Sequence, residues 1–258
     1  MKRFNLAAVI GLAIAAAACG GGGGGSSPGP PPISYANTAL PYYLPLAAGN
    51  QWKFANGGVI DDTGPSVLSC NGCAYDGGAL EDLDVINPSG AYALTFYFAK
   101  ASPFGTNDTF LVAFSSDHGS TITLIGPFVS GNVQVVPGIG VISDTPQVNQ
   151  SWSDNGLTSV IQSVGGTQSY GSNQQIKNIA VDTITGVNNG QTQTITWGFA
   201  QGVGFTSINF NGQSALLTSF SVSTTGSHSA IRKVIRSSSS SFDRNSLAAA
   251  LRRLGTKN

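Results

Sequence analysis

Charge is what this chain has least of: of its 258 residues, twelve are Lys or Arg and twelve are Asp or Glu, with two histidines and one methionine. The few bases are also badly placed for binding phosphate. From 33 to 226 only Lys53, Lys100 and Lys177 face eleven acids, a net charge of −8, so nucleic acid is not an expected partner of this body. With only His118 and His228 available, a paired zinc site has no second half. The sequence contains no G-x-S-x-G elbow, no phosphate loop, no H-E-x-x-H and no carboxylate pair on a helix, so no enzyme activity, cofactor or metal is expected from it. Past the first twenty-five residues no apolar run approaches the roughly 20 residues of a membrane-spanning helix.

What is present begins at the amino terminus. Lys2 and Arg3 precede an apolar run over 6–18, and Ala16, Ala17 and Ala18 precede Cys19. That order resembles a bacterial lipoprotein leader, with 1–18 as a removed signal peptide and Cys19 as the acylated, palmitate-bearing residue. The usual apolar residue three places before the cysteine is replaced by Ala16, and the same three alanines also fit ordinary secretory cleavage, which would release a periplasmic or secreted protein. Gly20 to Gly25, Ser26, Ser27 and the prolines ending at Pro32 make a flexible and then extended spacer, read as a disordered tether over 19–40. Gly20 in place of Asp after the cysteine implies delivery to the outer membrane in the resembled class. The chain is thus expected to meet a membrane through an N-terminal lipid anchor, with an envelope protein as a further conceivable partner.

The body over 41–226 is expected to be all-β. In 91–100, Tyr92, Leu94, Phe96 and Phe98 alternate with Ala93, Thr95 and Tyr97, the period of two that a strand imposes. Similar alternation marks 192–199 and 216–222, and β-branched or aromatic runs occupy 51–60, 109–115, 121–125, 132–136, 157–164, 177–185 and 203–210. Gly, Asn, Pro or Asp separates them, and Asn211-Gly212 between two strand-like runs is the surest hairpin. The expected architecture is an antiparallel open barrel or clam-like sheet of about nine to eleven strands. Glu81, Asp82 and Asp84 read as a solvated acidic loop, Asp61-Asp62 as turn-forming, and His118 as an exposed loop residue in SSDHGS.

Two segments resemble a known group. Pro45-Leu46-Ala47-Ala48-Gly49-Asn50-Gln51-Trp52-Lys53-Phe54 is similar to the "P-L-x-x-G-N-x-W-x-aromatic" opening of many uncharacterised bacterial lipoproteins. Thr196-Trp197-Gly198-Phe199-Ala200-Gln201-Gly202-Val203-Gly204-Phe205 resembles their "W-Y-A-x-G-V-G-L-V" signature, with Gly198 where Tyr is usual. The likeness brackets 41–223 on about fifteen positions and points to the TapB-like group, similar in fold to open β-barrel or clam proteins of the LolA type. It implies a non-catalytic protein that cups an apolar or lipid ligand, for which Tyr92, Leu94, Phe96, Phe98 and Trp197 are the candidate contacts. The competing reading is a surface-displayed adhesion or interaction sandwich. For the motifs themselves a structural role is expected: a Gly49-Asn50 turn launching Trp52 into a core, and a bend at Gly202 and Gly204.

Cys70 and Cys73 lie in the turn-like SCNGCAYDGG, where a small-loop disulfide, a redox pair and a zinc half-site compete, the disulfide being the expectation. The tail over 227–258 reverses the body's sign, at +6, and is rich in serine. Within it, Leu247, Leu251 and Leu254 beside Arg252 and Arg253 suggest a short C-terminal helix capped near Asp243 or Asn245 and ended by Gly255.

Overall fold

The computed structural model describes residues 32–69, 79–101, 108–116, 118, 122–125, 138–188, 190–210, 212–223 and 233–236. Cys19, Cys70, Cys73, the leader and the expected C-terminal helix lie outside the described residues. Contacts divide the chain into Met1–Pro32 and Ile33–Asn258, and the fold is that of the second unit.

The chain forms β1 (Ser34–Tyr35), β2 (Gln51–Phe54), β3 (Val59–Ser69), β4 (Ala79–Ile86), β5 (Tyr92–Ala101), β6 (Asp108–Ser115), β7 (Thr123–Leu124) and β8 (Ile139–Ser143). It continues through β9 (Ser151–Asp154), β10 (Leu157–Tyr170), β11 (Gln174–Asn188), β12 (Gln191–Ala200), β13 (Gly204–Phe210), β14 (Gln213–Ser221) and β15 (Lys233–Arg236). These build one 15-stranded sheet whose continuous path runs β7-β6-β5-β4-β3-β2-β14-β13-β12-β11-β10-β9. Every pairing on that path is antiparallel, and β1 on β11 and β15 on β3 are short parallel additions. The all-β open sheet matches the sequence expectation, with more strands than about nine to eleven. Asn56-Gly57-Gly58 cuts 51–60 into β2 and β3, while β4, β8 and β9 carry weak patterns. Structure also starts inside the expected tether, at β1, and the tail contributes β15.

The sheet folds over so that its two halves enclose the main core. Trp197 on β12 meets Phe96 and Phe98 on β5 at ring-centroid distances of 5.6 and 6.1 Å, and Phe199 and Phe205 extend the same aromatic cluster. β5 and β6 are buried on both faces: Leu94, Phe96 and Phe98 enter the main core, and Tyr97, Ala99, Phe110 and Val112 form a second cluster with Leu80, Ile122 and Leu124. Large aromatic side chains contribute most of the burial that drives such a core.

The sheet is not closed by hydrogen bonds. Among the described residues no backbone ladder joins β8 to β9, the strands that meet where the sheet comes round. Side chains hold that seam instead. The Trp152 indole N–H donates to Asp108 Oδ2 at 3.3 Å, and Asn155 Nδ2 donates to the Ile125 carbonyl at 2.9 Å. The Trp152 ring lies where a Cβ on Gly140 would stand, 2.3 Å from its nearest atom, so only glycine lets the indole seat on β8.

Candidate functional site

In an up-and-down meander alternate turns fall at the same end, and the two ends of this sheet differ. One carries the 201–203 turn and a strap formed by 36–50. Thr38 Oγ1 donates to the Gly202 carbonyl at 2.6 Å, and the Gly202 N–H donates to the Tyr42 carbonyl at 2.8 Å. Buried Asn50 donates through Nδ2 to the Pro45 carbonyl and accepts from the Ser223 N–H, tying the strap to the end of β14. Here the two motif segments meet. The Trp52 indole N–H donates to the Val203 carbonyl at 2.6 Å, its ring stands edge-on to Phe205 at 5.3 Å, and Gly204, at φ +92°, passes directly against the indole. Segments 151 residues apart therefore form one clasp, which accounts for their residue types without any activity.

The opposite end is hollow among the described residues. Between the β2–β3 turn, the β4–β5 turn and the β13–β14 hairpin lies a cavity of about 510 Å³. Phe54, Ile60, Val85, Phe210 and Ala215 line its floor from the margin of the main core, and Val59, Ile86 and Ile208 extend the apolar wall. Asn56, Asn87, Gln213 and Ser214 stand among the lining residues, and none of that lining is charged. The volume falls within the roughly 300–1,000 Å³ of small-molecule sites, which are likewise mostly apolar with a few polar groups. Its rim is held rigidly. The Phe54 N–H donates to the Gly58 carbonyl and the Gly57 N–H to the Phe54 carbonyl around the first turn, the Ala55 N–H donates to the Leu216 carbonyl, and Asn87 Oδ1 accepts from the N–H groups of Ser89 and Ala91. Gly57 turns the chain at φ +88°, and a Cβ there would stand 3.6 Å from Pro88 in the second turn.

The five sequence-predicted ligand contacts lie elsewhere. Leu94, Phe96, Phe98 and Trp197 are at most 2% exposed, packed against one another and against their core neighbours. Tyr92 is half-buried, stacks on His118 at 3.5 Å and donates to the Ser115 carbonyl. None of the five lines the cavity. The residues that do line it were missed because they sit at strand ends and turns, where period-two patterning fades. The Asn56-Gly57-Gly58 and Asn87-Pro88 turn signals marked the rim as turns and not as a site.

The acidic readings change as well. Glu81, Asp82 and Asp84 are not in a loop but on β4, and Asp62 is a buried strand residue at a bulge of β3 and not a turn former. Neighbouring strands supply the partners of two of them, Ser66 Oγ donating to Asp82 and Thr95 Oγ1 to Asp84, while Asp62 accepts from the N–H groups of Ala47 in the strap and Gly64 on its own strand. Burial raises Asp62 and Glu81, and their mutual repulsion raises Glu81 further, so both carboxyls hold their protons to higher pH than free ones do. A third carboxyl, Asp182, lies fully buried on β11; burial pushes it up to about 8 against the opposing hydrogen bond from Ser159 Oγ at 2.7 Å. No group of three or more metal-ligating side chains forms among the described residues.

These features define an open, antiparallel β-barrel-like domain, clasped at one end and hollow at the other. No family model, no curated protein and no solved structure matches the chain.

Proposed function

We propose that this is a non-catalytic cell-envelope lipoprotein whose β-domain holds an apolar ligand, such as an acyl chain, in the cavity at its hollow end. In this reading the leader over 1–18 exports the chain, acylated Cys19 anchors it in the outer membrane, and Cys70 pairs with Cys73. The observation that carries the ligand reading is the 510 Å³ cavity with an apolar wall and an uncharged lining. Each methylene buried there contributes about 0.8 kcal/mol, so roughly eight give about 6 kcal/mol before the cost of association. Within the β unit, β1 pairs with the start of β11 at the strap end, opposite the end that holds the cavity.

Titration of the full-length protein with a fluorescent acyl probe tests this. The wild type is expected to bind at micromolar concentration, and Ala215→Phe, which fills the floor, is expected to abolish binding while leaving the melting transition cooperative. Equal binding by both proteins would remove the cavity from the account. A second reading, a surface-displayed interaction module, is favoured by the β10–β11 hairpin, where 162–167 is exposed throughout and rich in polar residues. That reading expects no probe binding by either protein.

A further inference from the structure

The chemistry of the rim specifies the ligand further. Two asparagines reach the cavity, and both have their side-chain oxygen committed. Asn56 Oδ1 accepts the Gly58 N–H at 2.9 Å. Asn87 Oδ1 accepts from the Ser89 N–H at 3.0 Å, the Ser89 hydroxyl at 2.7 Å and the Ala91 N–H at 3.1 Å. A backbone N–H can bond only to the oxygen of an amide, so both side chains are fixed in orientation, and what each has left to offer is its pair of N–H donors. Ser214 Oγ accepts from Asn209 Nδ2, so its hydroxyl proton is also available to a ligand. Gln213, the remaining polar lining residue, adds an amide with both donors and an acceptor, so the rim's side chains still offer more donors than acceptors, while the lining holds no Lys, Arg or His to balance an anion.

We propose that the cavity takes a neutral acyl ester or amide, with the apolar chain on Phe54, Ile60, Val85 and Ala215 and the carbonyl oxygen on the Asn56 and Asn87 amides, and discriminates against the fatty-acid carboxylate. The proposal rests on the reading of this cavity as an apolar-ligand site. A neutral carbonyl accepts the available donors and brings no charge to be desolvated. A carboxylate would have to leave water for an apolar pocket without a counter-ion, which is far more costly.

The test uses the full-length protein with diphenylhexatriene, a hydrocarbon without hydrogen-bonding groups, as the reporter. Methyl decanoate is expected to displace the probe at a concentration at least about tenfold lower than decanoate at pH 8. Asn56→Asp and Asn87→Asp keep the oxygen that holds each turn and replace the donor by an acceptor. Each is expected to weaken methyl decanoate about tenfold while changing the probe's own affinity less than twofold. Equal displacement by ester and carboxylate on the wild type would overturn the proposal, whatever the variants do, and so would two variants that bind the ester as the wild type does. Failure of the wild type to bind the probe would overturn the cavity reading and this proposal together, whereas probe binding without ester preference overturns this proposal alone.

Discussion

The buried carboxyl of Asp182 makes stability depend on pH in a direction and amount that can be worked from its surroundings. It sits on β11 in register with Trp197 on one side and Ile161 on the other, with no exposure to solvent. One oxygen accepts from Ser159, and Oδ2 has no hydrogen-bond partner among the described residues. Burial therefore holds the group protonated up to about pH 8, while the unfolded chain releases the same proton near pH 4. Between those values the folded state carries one proton more than the unfolded state, so stability falls as pH rises, by about 1.4 kcal/mol per unit, and levels off above the folded value. Asp182→Asn has nothing to titrate. Asp62, Glu81 and Asp154 are shifted in the same direction but are common to both proteins, so the difference between wild type and variant isolates Asp182. Urea unfolding followed by the fluorescence of Trp52, Trp152 and Trp197 at pH 5, 6 and 7 measures that difference. The stability of the variant relative to the wild type is expected to increase by roughly 3 kcal/mol from pH 5 to pH 7. Parallel pH profiles for the two proteins would refute the reasoning.

The clasp and the seam give two further expectations. Gly204→Ala places a Cβ 2.6 Å from the Trp52 indole nitrogen at a backbone φ of +92°, so backbone strain and overpacking together should cost about 3 kcal/mol or more, read from the urea midpoint. Trp152→Phe removes the hydrogen bond to Asp108 at the unpaired seam; hydrogen exchange should quicken in β8 and β9 and stay unchanged in β12 and β13, and uniform quickening would show that the seam is not a separate opening unit.

Much of the sheet was legible because its strands state their period. β5 is the clearest case, since alternation from Tyr92 to Phe98 holds whether one face is buried or, as here, both are. The Asn211-Gly212 signal likewise falls between β13, ending at Phe210, and β14, beginning at Gln213, which pair antiparallel. β4 was not legible. Its carboxylates look solvated in sequence, and the groups that make a strand of them, Ser66 and Asp62 on β3 and Thr95 on β5, belong to other strands. β8 and β9 are five and four residues long, too short for a period to register. The aromatic strand was readable as apolar but not as core or lining, because that depends on what lies across the fold: Trp197 fills the space that Phe96 and Phe98 face. The cavity depends on the small side chain of Ala215 standing beside Phe54, Ile60 and Val85 on the neighbouring strands β14, β2, β3 and β4, a relation no single segment encodes.

Native mass spectrometry of the mature protein purified from its own envelope in mild detergent tests the central claim most directly. The wild type is expected to carry a retained neutral lipid that Ala215→Phe lacks. Bare protein from both, across several mild detergents, would contradict the claim that this cavity holds an apolar ligand.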